Sequence, residues 1–243
     1  MKLNVHDLSF SYENKTILDR LSFSVDEGEF VSLLGPSGCG KSTILKLLTG
    51  ILTPNGGCIE VDGRQVRGIS GHFAYMPQND LLFPWKTILE NVCLYGQIHG
   101  TFAELKKEAL EHFPAFGLAG YESSYPSALS GGMRQRAAFL RTALCRADIL
   151  LLDEPFGALD VITRSEMQDW LISMRKELGK TVLLVTHDMD EALYLSDRIL
   201  IMNPSPAGIT GELTIPEKER SREWLYEQGE LRKIIHSQIG NGK

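Results

Sequence analysis

Basic excess is missing from this chain. Lys and Arg number 25 against 31 Asp and Glu, a formal net charge of −6. General nucleic-acid binding leaves a basic footprint, so that class is excluded; local contact with a membrane partner is not. No apolar run approaches the ~20 residues needed to cross a bilayer. The opening Met1-Lys2-Leu3-Asn4-Val5-His6-Asp7 lacks the apolar stretch of a secretory signal, so the expected location is the cytoplasm. Cysteine is sparse. Cys39, Cys58, Cys93 and Cys145 are scattered and form no C-x-x-C pair, which argues for reduced thiols and against a disulfide framework or a zinc site. Internal repeats and low-complexity segments are also absent. What remains is ordinary globular material: 243 residues, 43% hydrophobic and 23% charged, enough for one or two compact units with a proper core.

Four short runs read as buried strands: Phe30–Leu34, Ile149–Leu152, Val182–Val185 and Ile199–Met202. Each is nearly continuous in apolar residues, as parallel strands covered on both faces require. The opening differs. Leu3, Val5, Leu8 and Phe10 alternate loosely with polar residues, and Cys58–Gly63 ends in a turn signal; these predict antiparallel strands with one wet face. From about Lys86 to Arg146 the pattern turns helical, with Leu105, Ala109, Leu110 and Phe113 spaced among charges. The reading is an α/β nucleotide-binding core (1–85 and 147–204), a helical block (86–146) and a tail (205–243). The tail is rich in Pro, Gly and charge to about Ser221. Trp224, Leu225, Leu231, Ile234 and Ile235 then predict one amphipathic helix that packs on its own domain.

The decisive run is Gly35-Pro36-Ser37-Gly38-Cys39-Gly40-Lys41-Ser42-Thr43. It fits the phosphate-loop pattern G-x-x-x-x-G-K-[ST], and it lies between an apolar strand and an apolar helical pattern, where that pattern has meaning. Glycines let backbone N–H groups turn inward around phosphate oxygens. The helix start adds unpaired N–H groups and the positive end of its dipole. Lys41 can reach the β/γ-phosphates and the Ser42 hydroxyl can ligate Mg²⁺. Cys39 lies inside the loop, where alkylation would block nucleotide, but it has no catalytic part.

The strand Ile149–Leu152 ends in Asp153-Glu154-Pro155. A carboxylate at the carboxyl end of a buried parallel strand sits where open α/β sheets bind ligands. Asp153 can hold Mg²⁺ through water, and Glu154 can polarise a water for attack on the γ-phosphate. Leu129-Ser130-Gly131-Gly132-Met133-Arg134-Gln135-Arg136 opens another helix. Ser-Gly-Gly there is a second anion-binding geometry, although a helix cap explains it as well when it stands alone. One nucleotide already has its phosphates held by the first loop, which raises the question of whose nucleotide the second element serves.

Taken in order, these pieces resemble the ABC-type ATPases, from Leu3 to about Met202. Gly35–Thr43 is similar to the Walker A loop, Ile149–Glu154 to the Walker B strand and Leu129–Arg136 to the signature motif. Gln78, in Tyr75-Met76-Pro77-Gln78, is similar to the Q-loop, Asp160 in Ala158-Leu159-Asp160 to the D-loop, and His187 in Val185-Thr186-His187-Asp188 to the switch histidine. Tyr12 lies where that family stacks a ring on adenine. The resemblance implies a P-loop NTPase core with a mostly parallel sheet, an antiparallel β subdomain and a helical subdomain. It implies Lys41 and the loop on β/γ-phosphate, Ser42, Gln78 and Asp153 around Mg²⁺, Glu154 as general base and His187 on the γ-phosphate. Ser130, Gly131, Gly132 and Gln135 would clamp ATP in trans, across a homodimer.

After Gln78, the run Asn79–Val92 with Leu81-Leu82-Phe83-Pro84-Trp85 resembles the stretch of import ATPases that holds the coupling helix of a permease. The form is most similar to the nitrate, sulfonate, taurine and thiamine-precursor uptake group. Leu82, Phe83 and Trp85 are expected to line an exposed socket; packing between core and helical block is the competing use. The implied partners are a second copy of the chain, two permease subunits at the cytoplasmic face of the membrane and, indirectly, an external solute-binding protein. Two other readings stand beside this one. An export or lipid-extraction ATPase is disfavoured by the sequence after Gln78. A soluble ABC ATPase of DNA repair or translation would carry a long coiled coil or two cassettes, and this chain has neither.

Overall fold

A computed structural model describes residues 1–13, 15–203, 208–217 and 219–240. The chain opens with β1 (Leu3–Tyr12) and β2 (Lys15–Val25), followed by β3 (Phe30–Leu34), α1 (Lys41–Leu48), β4 (Gly56–Val61), β5 (Arg64–Val66) and β6 (Phe73–Met76). Helices α2 (Ile88–Val92), α3 (Leu94–His99), α4 (Phe102–His112) and α5 (Gly131–Ala143) come next. The chain then alternates β7 (Ile149–Asp153), α6 (Val161–Leu178), β8 (Thr181–Thr186), α7 (Met189–Leu195) and β9 (Arg198–Asn203). It ends with β10 (Gly208–Thr214), α8 (Arg222–Glu227) and α9 (Gly229–Gly240).

Two sheets result. One is antiparallel, in the order β2-β1-β4-β5; the other runs β10-β9-β3-β8-β7-β6, parallel except at β10. The continuous apolar strands are buried on both faces, as their composition requires. Phe30 and Leu34 of β3, with Leu150 and Leu152 of β7, join one core with the helices between β6 and β7. Val31 and Leu33, with Ile149 and Leu151, join the other with α1 and the small sheet. The loose alternation in β1 also has a physical cause. Val5 and Leu8 are both buried but three residues apart, so period two is broken once. The register shifts between them, and Asp7 takes φ 45° in the bulge.

Arg198 ties the sheets together. Its guanidinium donates to Ser24 O at 2.7 Å on β2, to both Glu29 oxygens at 2.7 and 2.9 Å, and to Glu212 Oε1 at 3.0 Å on β10.

The tail departs from the sequence reading. The stretch read as irregular holds β10, an antiparallel edge strand beside β9, and the single expected helix is two, broken around Gln228. With Gly211 between its two large apolar residues, Ile209 and Leu213, this strand gives little period-two signal, which is why composition hid it. Leu225 and Ile235 are buried in the core, Trp224 and Leu231 partly so, and Ile234 is exposed. The boundary drawn at 204 and 205 lies outside the described residues. Among the described residues, no helix is long and apolar enough to cross a membrane.

Candidate active site

Strand β3 delivers the phosphate loop to the carboxyl edge of the parallel sheet, and α1 leaves from it. Two glycines are required there for different reasons. Gly38 takes φ 79°, a left-handed backbone that a side chain disfavours. Gly35 is a close approach: a Cβ there would lie 2.7 Å from Met202 O. Gly40 caps α1 with φ 101°. Lys41 is buried, and its ammonium donates to Gly35 O at 2.7 Å and Pro36 O at 2.9 Å. The Cys39 thiol packs into the core beneath the loop, and burial pushes its pKa up.

Strand β7 ends beside this loop because it pairs in parallel with both β8 and β6. Asp153 is buried there, and both its oxygens are engaged. Ser42 Oγ donates to one at 2.9 Å and Tyr75 OH to the other at 2.9 Å. Burial and the Asp153 charge raise the Tyr75 phenol well above its ordinary pKa, so it stays a donor. Glu154 follows with φ 45°, unusual for a residue bearing a side chain, and its N–H is held by Val185 O at 2.9 Å. Its Oε2 lies 3.1 Å from His187 Nδ1, the residue after β8.

One cavity of about 410 Å³ is lined by Ser37, Gly38, Gly40, Lys41, Ser42 and Thr43, by Gln78, Asp153 and Glu154, and by Ile17 of β2; His187 lies outside it, in a cavity of about 50 Å³ that shares Glu154. Tyr12 is not in that lining; it is exposed and packs edge-on against Phe10, with centroids 4.8 Å apart. Ser130, Gly131 and Gly132 do not line it either. Ser130 caps α5, its Oγ accepting the Met133 N–H at 3.3 Å, and Ser130 and Gly131 are exposed. A Cβ on Gly132 would meet Thr163 Cγ2 at 2.5 Å. Gln135, expected with them, is set apart: it is buried and donates to Pro155 O of its own chain. Asp160 caps α6, accepting from the N–H groups of Ile162 and Thr163 and from the Thr163 hydroxyl, and these bonds hold its pKa down. Val161 and Ile162 beside it are exposed.

The segment after Gln78 is held by residues that sequence reasoning missed. Asn91, fully buried, accepts the Phe83 N–H at 2.6 Å and donates to Phe83 O, Lys86 O and Thr87 O at 3.0–3.1 Å. From α5, Arg134 reaches Asp80 Oδ2 at 3.1 Å and Arg141 reaches Asp80 O and Leu81 O. An Asn in a helix and two Arg in a basic motif give no signal of such a use on their own. The socket residues need a correction. Leu82 is buried in the core, because the chain turns inward after Leu81 (φ 45°). The exposed apolar pair is Leu81 and Trp85, with half-buried Phe83 stacked on Trp85 at 5.2 Å.

The family model described as ABC transporter matches residues 18–157, from β2 through the Glu154 turn. The chain belongs to the ABC transporter family. As an ABC cassette it binds and hydrolyses ATP. It is 45% identical to the formylaminopyrimidine import ATP-binding protein ThiZ of Halalkalibacterium halodurans, over 98% of this chain and 94% of that one. It is 39% identical to the taurine import ATP-binding protein TauB of Yersinia pestis, over 97% and 91%. Among solved structures it is similar to a dimeric bacterial ABC transporter cassette, with a TM-score of 0.74 and 28% identity over 88% of this chain and 99% of that one. A post-hydrolysis state of that cassette, bound to ADP and Pi, matches with a TM-score of 0.71 at 26% identity over the same shares.

Proposed function

We propose that this ABC cassette energises uptake of a small organic solute, working as a homodimer under two permease subunits at the cytoplasmic face of the membrane. The observation that carries the chemistry is the single cavity in which Lys41, Ser42, Gln78, Asp153 and Glu154 meet. In this reading Lys41 and the loop amides from Gly35 to Thr43 hold the β/γ-phosphates. The hydroxyl of Ser42 already points at Asp153, and with the Gln78 carboxamide they form an oxygen-rich set suited to a hard cation. Those three would hold Mg²⁺, which when bound neutralises phosphate charge.

Glu154 then acts on water. Its carboxylate takes a proton as the water oxygen bonds to the γ-phosphorus and the bond to the bridging oxygen of ADP breaks. His187, in contact with Glu154 Oε2, orients that carboxylate and reaches the γ-phosphate. Ser130 and Gly131 are exposed and away from their own chain's cavity, so they complete the site of a second copy, as the dimeric relative suggests. The importer reading rests on the names of the relatives, which import formylaminopyrimidine, taurine and aliphatic sulfonates, and on Leu81 and Trp85, exposed apolar groups fixed directly after Gln78.

Glu154→Gln tests the chemistry. It keeps shape and hydrogen bonding but accepts no proton. Mg-ATP binding should persist, turnover should fall at least ~10²-fold, and an ATP-bound dimer should accumulate. Near-wild-type turnover would refute the assignment.

A further inference from the structure

The geometry points to Glu191, with Gln168 and Arg222 behind it, as a positioning residue for the switch histidine, one that ties the C-terminal tail to the hydrolysis site; the inference rests on the reading of His187 above. Thr186, the last residue of β8, immediately precedes His187. Its hydroxyl accepts the Asp188 N–H at 3.0 Å and donates to Glu191 Oε2 at 2.6 Å. The backbone on both sides of His187 is therefore referred to one carboxyl group. Glu191 also closes the turn locally, donating its own N–H to Asp188 Oδ1 at 3.2 Å. Its other oxygen accepts from Gln168 Nε2 on α6, at 3.4 Å. Gln168 Oε1 in turn accepts from Arg222 Nη1 at 3.0 Å, at the first residue of α8.

Arg222 is built as an anchor. Its remaining donors go to Asp169 Oδ1 at 2.9 Å and Ser165 O at 2.7 Å, and the guanidinium lies 4.2 Å over the Tyr194 ring of α7. Tyr194 OH donates to the same Asp169 oxygen at 2.7 Å. A second tether runs from α9 to the first turn of α7, where Arg232 meets Asp190 at 2.7 Å. Helix α7, which starts two residues after His187, is thus gripped by both tail helices.

The intermediate links are expensive. Thr186, Gln168 and Glu191 are 1%, 5% and 4% exposed, and each buried polar group costs free energy that its hydrogen bonds only offset. Burial pushes the Glu191 carboxyl up to about 7. An apolar trio would fill the same space without that cost. A directional chain of four polar side chains instead fixes orientation, which is what a histidine on the γ-phosphate needs.

The test uses the full-length protein with Mg-ATP. Glu191→Ala should lower the single-turnover rate at saturating nucleotide roughly 3- to 30-fold, the range for positions that act through others. ATP affinity should stay near wild type; Tm should fall by several degrees, because Thr186 and Gln168 lose a buried acceptor, so rates are compared below the lowered Tm. Glu191→Gln, which still donates and accepts, should restore most of the rate. In a His187→Ala background Glu191→Ala should cost nothing further. Arg222→Ala should show the same dependence on His187 more weakly, and it carries the test alone should Glu191→Ala not fold. A Glu191 loss that adds fully to the His187 loss, or one matched by lost ATP affinity, overturns the proposal while leaving His187 in its role. Wild-type turnover by His187→Ala itself would instead remove the reading on which the proposal stands.

Discussion

Asn91 offers the sharpest check on how the segment after Gln78 is built. Among the described residues its carboxamide is the sole partner of the Phe83 N–H and one of the partners of three carbonyls, with no exposure to water. Asn91→Ala removes those bonds and strands at least the Phe83 donor. Losing the bond to the Phe83 N–H costs about 1 kcal/mol net and the orphaned buried donor 1–3 kcal/mol more, roughly 2–4 kcal/mol for that one group and a lower bound for the variant. For a chain of this size that lowers Tm by roughly 5–15 °C. Asn91→Asp should be worse at neutral pH, because a carboxylate would face the oxygens of Phe83, Lys86 and Thr87. Its pKa would be raised in the folded protein above the unfolded value. The Asp variant should therefore regain ground on Ala as pH falls, when the carboxyl becomes a donor. The phosphate cavity contains none of these residues, so ATP binding below the new Tm should persist while permease co-purification falls. Calorimetry from pH 5 to 8 and a nucleotide-binding assay on the same samples decide it. Equal stability of the Ala and Asp variants at every pH would refute the reasoning.

Other outcomes follow from the same geometry. Ser130→Arg should bind ATP as a single chain, since Lys41 and its loop are untouched, yet fail to form the closed dimer. Mixed with Lys41→Ala chains it should recover at most one of two composite sites; sizing with ATP and turnover of the mixture measure this. Leu81→Ser with Trp85→Ser should leave Tm and isolated ATP binding intact but abolish co-purification with the permease and solute uptake, whereas Leu82→Ser should lower Tm, since burying a large side chain is worth roughly 1.5–3 kcal/mol. Glu191 gives a pH signature. Its folded pKa of about 7 exceeds the ordinary 4.5, so its contribution is fully present below pH 4.5 and lost as pH rises to 7. The difference is about 3 kcal/mol, and Glu191→Gln should remove that falling limb from the stability curve.

The parts of the site legible in sequence were those whose chemistry forces a local pattern. Glycines at Gly35, Gly38 and Gly40 and a charged pair after Leu152 cannot hide in a core strand. The runs at β3, β7, β8 and β9 were legible for a related reason: strands covered on both faces are nearly continuous in apolar residues. What escaped were contacts between residues far apart in the chain. Tyr75 reads as one more aromatic in a strand, yet it holds Asp153. Gln168 and Glu191 read as the wet face of helices, yet they are buried. Leu82 and Leu81 are indistinguishable by composition; a left-handed turn at Leu81 decides which one enters the core. Gln135 follows the exposed Ser130 and Gly131 in one motif, and helical phase turns it inward.

The Arg198 clamp has a mechanical consequence. With Ser24, Glu29 and Glu212 on one guanidinium, the antiparallel sheet and the main sheet share a rivet at the edge opposite β6. Shear between the sheets would have to break a multiply bonded ion pair. The helices α2–α5 are joined covalently to the sheet after Met76 and before Ile149, and they pack on it through the shared core. A load applied to β2 would therefore pass through Arg198 into β9 and β10, so that the two sheets answer it as one body.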